Sequence, residues 1–153
     1  MHPGVRLALD IGTVRIGVAR SDALGMLAVP LDAVPAGEGS WAAVAGLVDE
    51  WQAVAVYVGL PLHLSGAEGA SSAMARDWAA GLAERIDVPV RLIDERLSTV
   101  QAQRALQAGG RSTRQSKSMI DSASAVMVLQ AVLDSEARSG EAPGEPVEGG
   151  DGG

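Results

Sequence analysis

The chain has 153 residues, 47% of them hydrophobic, with no cysteine, no phenylalanine, a single tyrosine and a formal net charge of -7. Such a length and apolar content suit one domain with an aliphatic core, and the missing cysteines exclude disulfides, thiolate catalysis and zinc fingers. The amino-terminal stretch lacks a basic segment followed by a long apolar one, and no later run reaches the length of a bilayer span, so a soluble cytoplasmic protein without a membrane partner is expected.

Val5 to Asp10 is apolar apart from Arg6 and reads as a strand, and a short Gly12-Thr13-Val14-Arg15 turn leads to a second strand at Ile16 to Ala19. Met26 to Leu31 is a third extended stretch, which Pro30 assigns to an edge. Ser40 is placed to cap a helix in which Trp41, Val44, Leu47, Val48 and Trp51 recur at helical spacing, with the two tryptophans as core anchors. The β-branched run "AVAVYVGLPL" predicts a central parallel strand buried on both faces. A helix over about Ala73 to Arg85 follows, carrying Met74, Trp78, Ala79 and Leu82 on one face, and then a fifth strand, "VPVRLID".

Ser98 and Gln101 form a capping-box pattern for a helix that Gly109-Gly110 would end, and "GGRSTRQSKS" reads as a flexible loop before a last helix whose Ile120, Ala123, Met127 and Leu129 region is apolar enough to be packed. The pattern predicts a domain over residues 1–137 and a disordered acidic tail over 138–153, rich in glycine and proline. Glu136, Glu141, Glu145, Glu148 and Asp151 place much of the negative charge in and near that tail, while Arg91, Arg96, Arg104, Arg111, Arg114 and Lys117 concentrate positive charge in one stretch. The basic stretch is compatible with a solvated face or with nucleic-acid contact. Three hairpin-linked strands followed by alternating helices and strands define an α/β fold: a mixed five-stranded sheet, antiparallel in its first three strands, with helices on both faces.

In that architecture Asp10 and Glu95 end strands that open onto a common crevice, and Asp121 opens the last helix. Three carboxylates brought together would bind a hard cation through oxygen, and the chemistry then expected is phosphodiester hydrolysis. Each acid also has an ordinary use: a strand-end Asp forms turns, and Asp121 could complement the helix dipole or pair with Lys117 on the surface. Asp94 points to the other side by strand alternation and suits a helix cap. His2 and His63 have no catalytic partner in the pattern, although His63 could touch substrate.

The stretches "LDIGTVRIGVA", "VGLPL", "DERLSTVQA" and "KSMIDSASAVMVL", in this order, resemble the YqgF or RuvX family of ribonuclease-H-like nucleases over residues from about Leu7 to Leu133. The first stretch alone is also similar to the phosphate-binding strand of sugar kinases and actin-like ATPases, chains that are much longer and repeat the motif. The resemblance implies a ribonuclease-H-like fold and a nuclease that needs one or two Mg2+ or Mn2+ ions, with Asp10, Glu95 and Asp121 as metal ligands and catalytic residues. Lys117, four residues before Asp121, is placed to neutralise charge on the scissile phosphate, and Arg96, Arg111 and Arg114 to bind the substrate backbone. The implied partner is nucleic acid. It is either structured RNA, in processing the 5′ end of the precursor of 16S ribosomal RNA, or branched or single-stranded DNA, as in Holliday junction resolution, which would call for a homodimer. A non-catalytic nucleic-acid-binding module on the same scaffold is the reading from a different class.

Overall fold

The computed structural model describes residues 4–98 and 122–147. Its elements are β1 (Arg6–Ile11), β2 (Arg15–Ser21), β3 (Ala28–Pro35), α1 (Ser40–Trp51), β4 (Ala55–Leu60), α2 (Ala70–Ala83), β5 (Val90–Asp94), a 3-10 turn (Glu95–Ser98), α3 (Ala123–Ser139) and β6 (Glu145–Val147). The sheet order is β3-β2-β1-β4-β5-β6. β1, β2 and β3 pair antiparallel, β1, β4 and β5 pair parallel, and β6 returns antiparallel on β5.

Strand alternation divides the core between the two faces of this sheet. Leu7, Leu9, Ile16, Val18, Val56 and Val58 point to one face, where Val44 and Val48 of α1 and Ala79 and Leu82 of α2 cover them. Ala8, Ala19, Tyr57 and Ile93 point to the other, beneath Ala125, Val128, Leu129, Val132 and Leu133 of α3. The small residues Ala8 and Ala19 let α3 lie close on the strands. Of the α3 side expected to be packed, Leu129 is buried, Ala123 and Met127 are half-buried, and Ile120 lies outside the described residues.

Among the described residues the sheet has six strands rather than five, because residues 145–147, within the expected tail, pair with β5. α3 runs on to Ser139, and Gly140 ends it in a left-handed conformation. The chain then turns through Gly144 at φ +91°. Arg91 on β5 donates hydrogen bonds of 2.7 Å to the Pro143 and Gly144 carbonyls, and Arg76 on α2 holds Glu145 at 2.7 Å. These partners come from distant sequence, so composition alone reads the segment as disordered. Glu136 is likewise no tail charge: it is buried against Arg6, with 3.3 Å between Arg6 Nε and Glu136 Oε1.

β3 begins at Ala28 rather than Met26, since Asp22 Oδ1 accepts hydrogen bonds from the Met26 and Leu27 amides and keeps them in the preceding turn. It is an outer strand, as Pro30 requires. Gly39 stands at the cap of α1, while Ser40 Oγ donates to the Gly37 carbonyl and accepts from Trp78 Nε1. Trp78 is the buried tryptophan; Trp41 and Trp51 are half-buried beneath the guanidinium groups of Arg85 and Arg20.

The Arg6–Glu136 pair ties the far end of α3 to β1 across the α3-covered core. Removing one member leaves a buried charge, so Glu136→Ala is expected to cost about 3 kcal/mol in urea unfolding, whereas Arg6→Met/Glu136→Leu stays within about 1–2 kcal/mol of the parent.

Candidate active site

Asp10 lies near the carboxyl end of β1, on the sheet face that α3 covers. The register Leu9↔Val58 and Gly59↔Ile93 brings the ends of β1, β4 and β5 level, so the crevice at their carboxyl edge is shared. Ile93 points to the same face as Asp10, and Glu95, two residues on, continues toward it at the start of the 3-10 turn. There the Glu95 carboxyl comes within hydrogen-bond reach of Asp10. Two separate strand ends thus deliver two acids to one point.

Burial and the neighbouring Asp10 charge, with a smaller effect from Asp94, push the Glu95 carboxyl up to about 8 from an ordinary 4.5. Two acids in contact at a half-buried site resist being ionised together unless a cation lies between them. Oxygen-only donors of this charge fit a hard divalent ion such as Mg2+ or Mn2+. Among the described residues the pair acquires no third histidine, aspartate or glutamate. Asp121 and Lys117 lie outside the described residues, as do Arg111 and Arg114.

The residue after Asp121 is placed firmly. The β2–β3 register shifts between Ile16 and Val18, and the buried Ser122 hydroxyl enters the interrupted ladder. Its Oγ accepts from the Val18 amide at 3.0 Å and donates to the Leu31 carbonyl at 2.7 Å, although Val18 and Leu31 face each other across the strands. Val18 adjoins Gly17, the cross-strand partner of Asp10. The start of α3 is therefore stitched to the sheet next to the strand that flanks Asp10.

Asp94 turns away from the acid pair. Its Oδ1 accepts from the Arg96 amide at 2.9 Å, capping the 3-10 turn, and its carboxylate holds the Arg96 guanidinium at 2.7 Å, which keeps the Asp94 carboxyl below the usual carboxylate range. Arg96, expected on substrate phosphate, also donates to the Leu64 carbonyl at 3.2 Å. It thereby braces the loop between β4 and α2. Ser72 Oγ fixes the same loop at both ends, donating to the Pro61 carbonyl and accepting from the Gly69 amide, while Arg76 holds Glu68. His63 and Leu64 project from it into solvent. A cleft of about 410 Å³ lined by Ile11, Thr13, Trp41, Met74 and Trp78 opens beside α1 and α2 and contains neither acid.

The residue that the pattern of acids does not reveal is Gly59. The Glu95 carboxyl lies directly over its Cα, where any larger residue would project a side chain. A glycine within a run of β-branched residues was the available signal.

A mixed sheet with this strand order and helices on both faces is a ribonuclease-H-like fold, and the acid pair lies at its carboxyl edge. The chain belongs to the RuvX family, described as Holliday junction resolvase, whose model matches residues 4–135. It is 48% identical to a Thermobifida fusca protein named "Putative pre-16S rRNA nuclease", over 97% of this chain and 99% of that one. Proteins of the same name from Kineococcus radiotolerans and Nocardioides sp. are each 46% identical, over 97% of this chain and 81% and 99% of theirs. Among solved structures, RuvC of T. thermophilus in complex with a Holliday junction substrate shares the fold, with a TM-score of 0.64, 18% identity and coverage of 94% of this chain and 99% of that one. No helix among the described residues is long and apolar enough to cross a membrane.

The raised Glu95 carboxyl gives a sign to the pH dependence. An acid that holds its proton more tightly when folded contributes fully below about 4.5, and that contribution is lost as pH rises through about 8. Thermal unfolding of the metal-free protein should therefore show stability falling across this window, and Glu95→Gln should flatten the fall. Mn2+ affinity measured by calorimetry should rise across the same window, because the ion displaces the proton.

Proposed function

We propose that the chain is a divalent-metal-dependent nuclease that processes the 5′ end of the precursor of 16S ribosomal RNA. The observation that carries the chemistry is the contact between Asp10 and Glu95 at the carboxyl edge of three parallel strands. The substrate assignment draws on relatives of that name that match this chain over 96–97% of its length.

Asp10 and Glu95 would hold Mg2+ or Mn2+, one ion or two, with Asp121 as the third ligand. Support for Asp121 is its position next to Ser122, which is fastened beside the partner strand of Asp10. When bound, the cation supplies water activation and neutralisation of charge on the phosphodiester. α3 shields the acid pair from one side, which strengthens its hold on a cation. Lys117, four residues before Asp121 in sequence, would place an ammonium on the scissile phosphate. Arg111 and Arg114 would bind flanking phosphates. For Arg96 the bonds to Asp94 and Leu64 favour bracing the loop at the rim, with its outward N–H groups left to meet a substrate oxygen.

The family description favours a second reading, resolution of branched DNA by a homodimer. Precursor ribosomal RNA, single-stranded DNA and a four-way junction offered side by side with Mg2+ and Mn2+ separate the two. Cleavage of the RNA at a defined 5′ site is expected, and cleavage of the junction alone would transfer the assignment to recombination. Asp10→Asn, Glu95→Gln and Asp121→Asn should each lower cleavage by more than about 100-fold, beyond the 10–100-fold typical of losing a group that only orients a ligand. Cleavage unchanged in all three would remove these carboxylates from the catalytic set, whereas a parent chain that binds nucleic acid and cleaves none of it would be a non-catalytic module.

A further inference from the structure

Glycines flank Asp10 on both neighbouring strands. Gly17 is its partner on β2, and on β4 Gly59 follows Val58, the partner of Leu9. At Gly59 the reason is spatial. A Cβ there would fall 2.5 Å from Glu95 Oε1 and 3.1 Å from both Cδ and Cγ of the same side chain. Among the described residues all three of the nearest heavy atoms belong to Glu95, so the closest demand on the space is its carboxyl group. The conformation does not require a glycine, since Gly59 is absent from the positive-φ glycines. A glycine inside a strand is destabilising relative to alanine, so the position carries a cost that β4 itself does not require.

We infer that Gly59 is a positioning residue of the cation site: the volume its missing side chain leaves seats the Glu95 carboxylate against Asp10, so that both can grip one hard divalent ion. The inference rests on the metal-nuclease reading and deepens it. With a methyl group at residue 59, Glu95 must swing out of the crevice, and the two acids part. Folding would be spared, because the displaced group is a half-buried carboxylate at the edge of the sheet rather than a core side chain.

The test is Gly59→Ala in the full chain, with Mn2+ binding measured by calorimetry and unfolding measured in chelator. Mn2+ affinity should fall by about tenfold or more, while the Tm of the metal-free protein stays level or rises. At low Mn2+ kcat should fall, recovering at high Mn2+, with KM for the nucleic acid unmoved. The shorter acid in Gly59→Ala/Glu95→Asp should bind Mn2+ better than the two single changes predict together. Mn2+ affinity within about twofold of the parent would overturn the inference. If the metal-free Tm falls instead, Gly59→Ala/Glu95→Ala should restore it; a Tm that stays low would assign the glycine to packing and overturn the inference too. A parent chain that neither binds Mn2+ nor cleaves nucleic acid would refute the nuclease reading itself.

Discussion

Asp10 and Glu95 are held against each other where burial makes their shared charge costly, and much of the surrounding structure keeps them there. Left in water, two such carboxylates would drift apart and ionise separately. Parallel pairing of β1, β4 and β5 fixes their backbones at one level, and Gly59 leaves the space in which one side chain reaches the other. The sheet thus concentrates negative potential at one point of its carboxyl edge. A hard divalent ion would relieve that potential, and a phosphodiester brought to such an ion would meet the nuclease chemistry of the family.

The last helix is the second half of the arrangement. It is fastened at both ends by buried polar groups: at its start the Ser122 hydroxyl replaces a missing rung between β2 and β3, and near its end Glu136 is locked to Arg6. Between them Val128, Leu129, Val132 and Leu133 rest on Ala8, Ala19, Tyr57 and Ile93. Apolar packing alone is non-directional and fixes no single register along the strands. Directional bonds at the two ends fix its register, and with it the position from which the chain enters α3.

Much of this was legible in the chain because strand-end acids, β-branched runs and alternation are local signals. Asp10 and Glu95 could be placed from the ends of their runs, and the orientation of Asp94 followed from its neighbour's. What escaped depended on partners distant in sequence. β6 is held by Arg91 and Arg76, the second of which lies 69 residues from Glu145, and no property of "EPV" announces it. Arg96 read as a free cation because its pairing with Asp94 and with the Leu64 carbonyl needs the tight turn to form first. The buried face of α3 is an apolar stripe of Ala125, Val128, Leu129, Val132 and Leu133, and Glu136, polar in composition, joins it only because Arg6 meets it. Gly59 was visible as punctuation at a strand end, whereas its use as room for a carboxylate appears only when β5 lies beside β4.

The proposed chemistry depends most on a cation seated between the two acids. Diffraction from Mn2+-soaked crystals, recorded at the manganese absorption edge, tests that directly. An anomalous peak is expected within coordination distance, roughly 2.0–2.2 Å for an ion of this type, of carboxylate oxygens from both Asp10 and Glu95. Density at neither acid in crystals carrying Mn2+ elsewhere would contradict it.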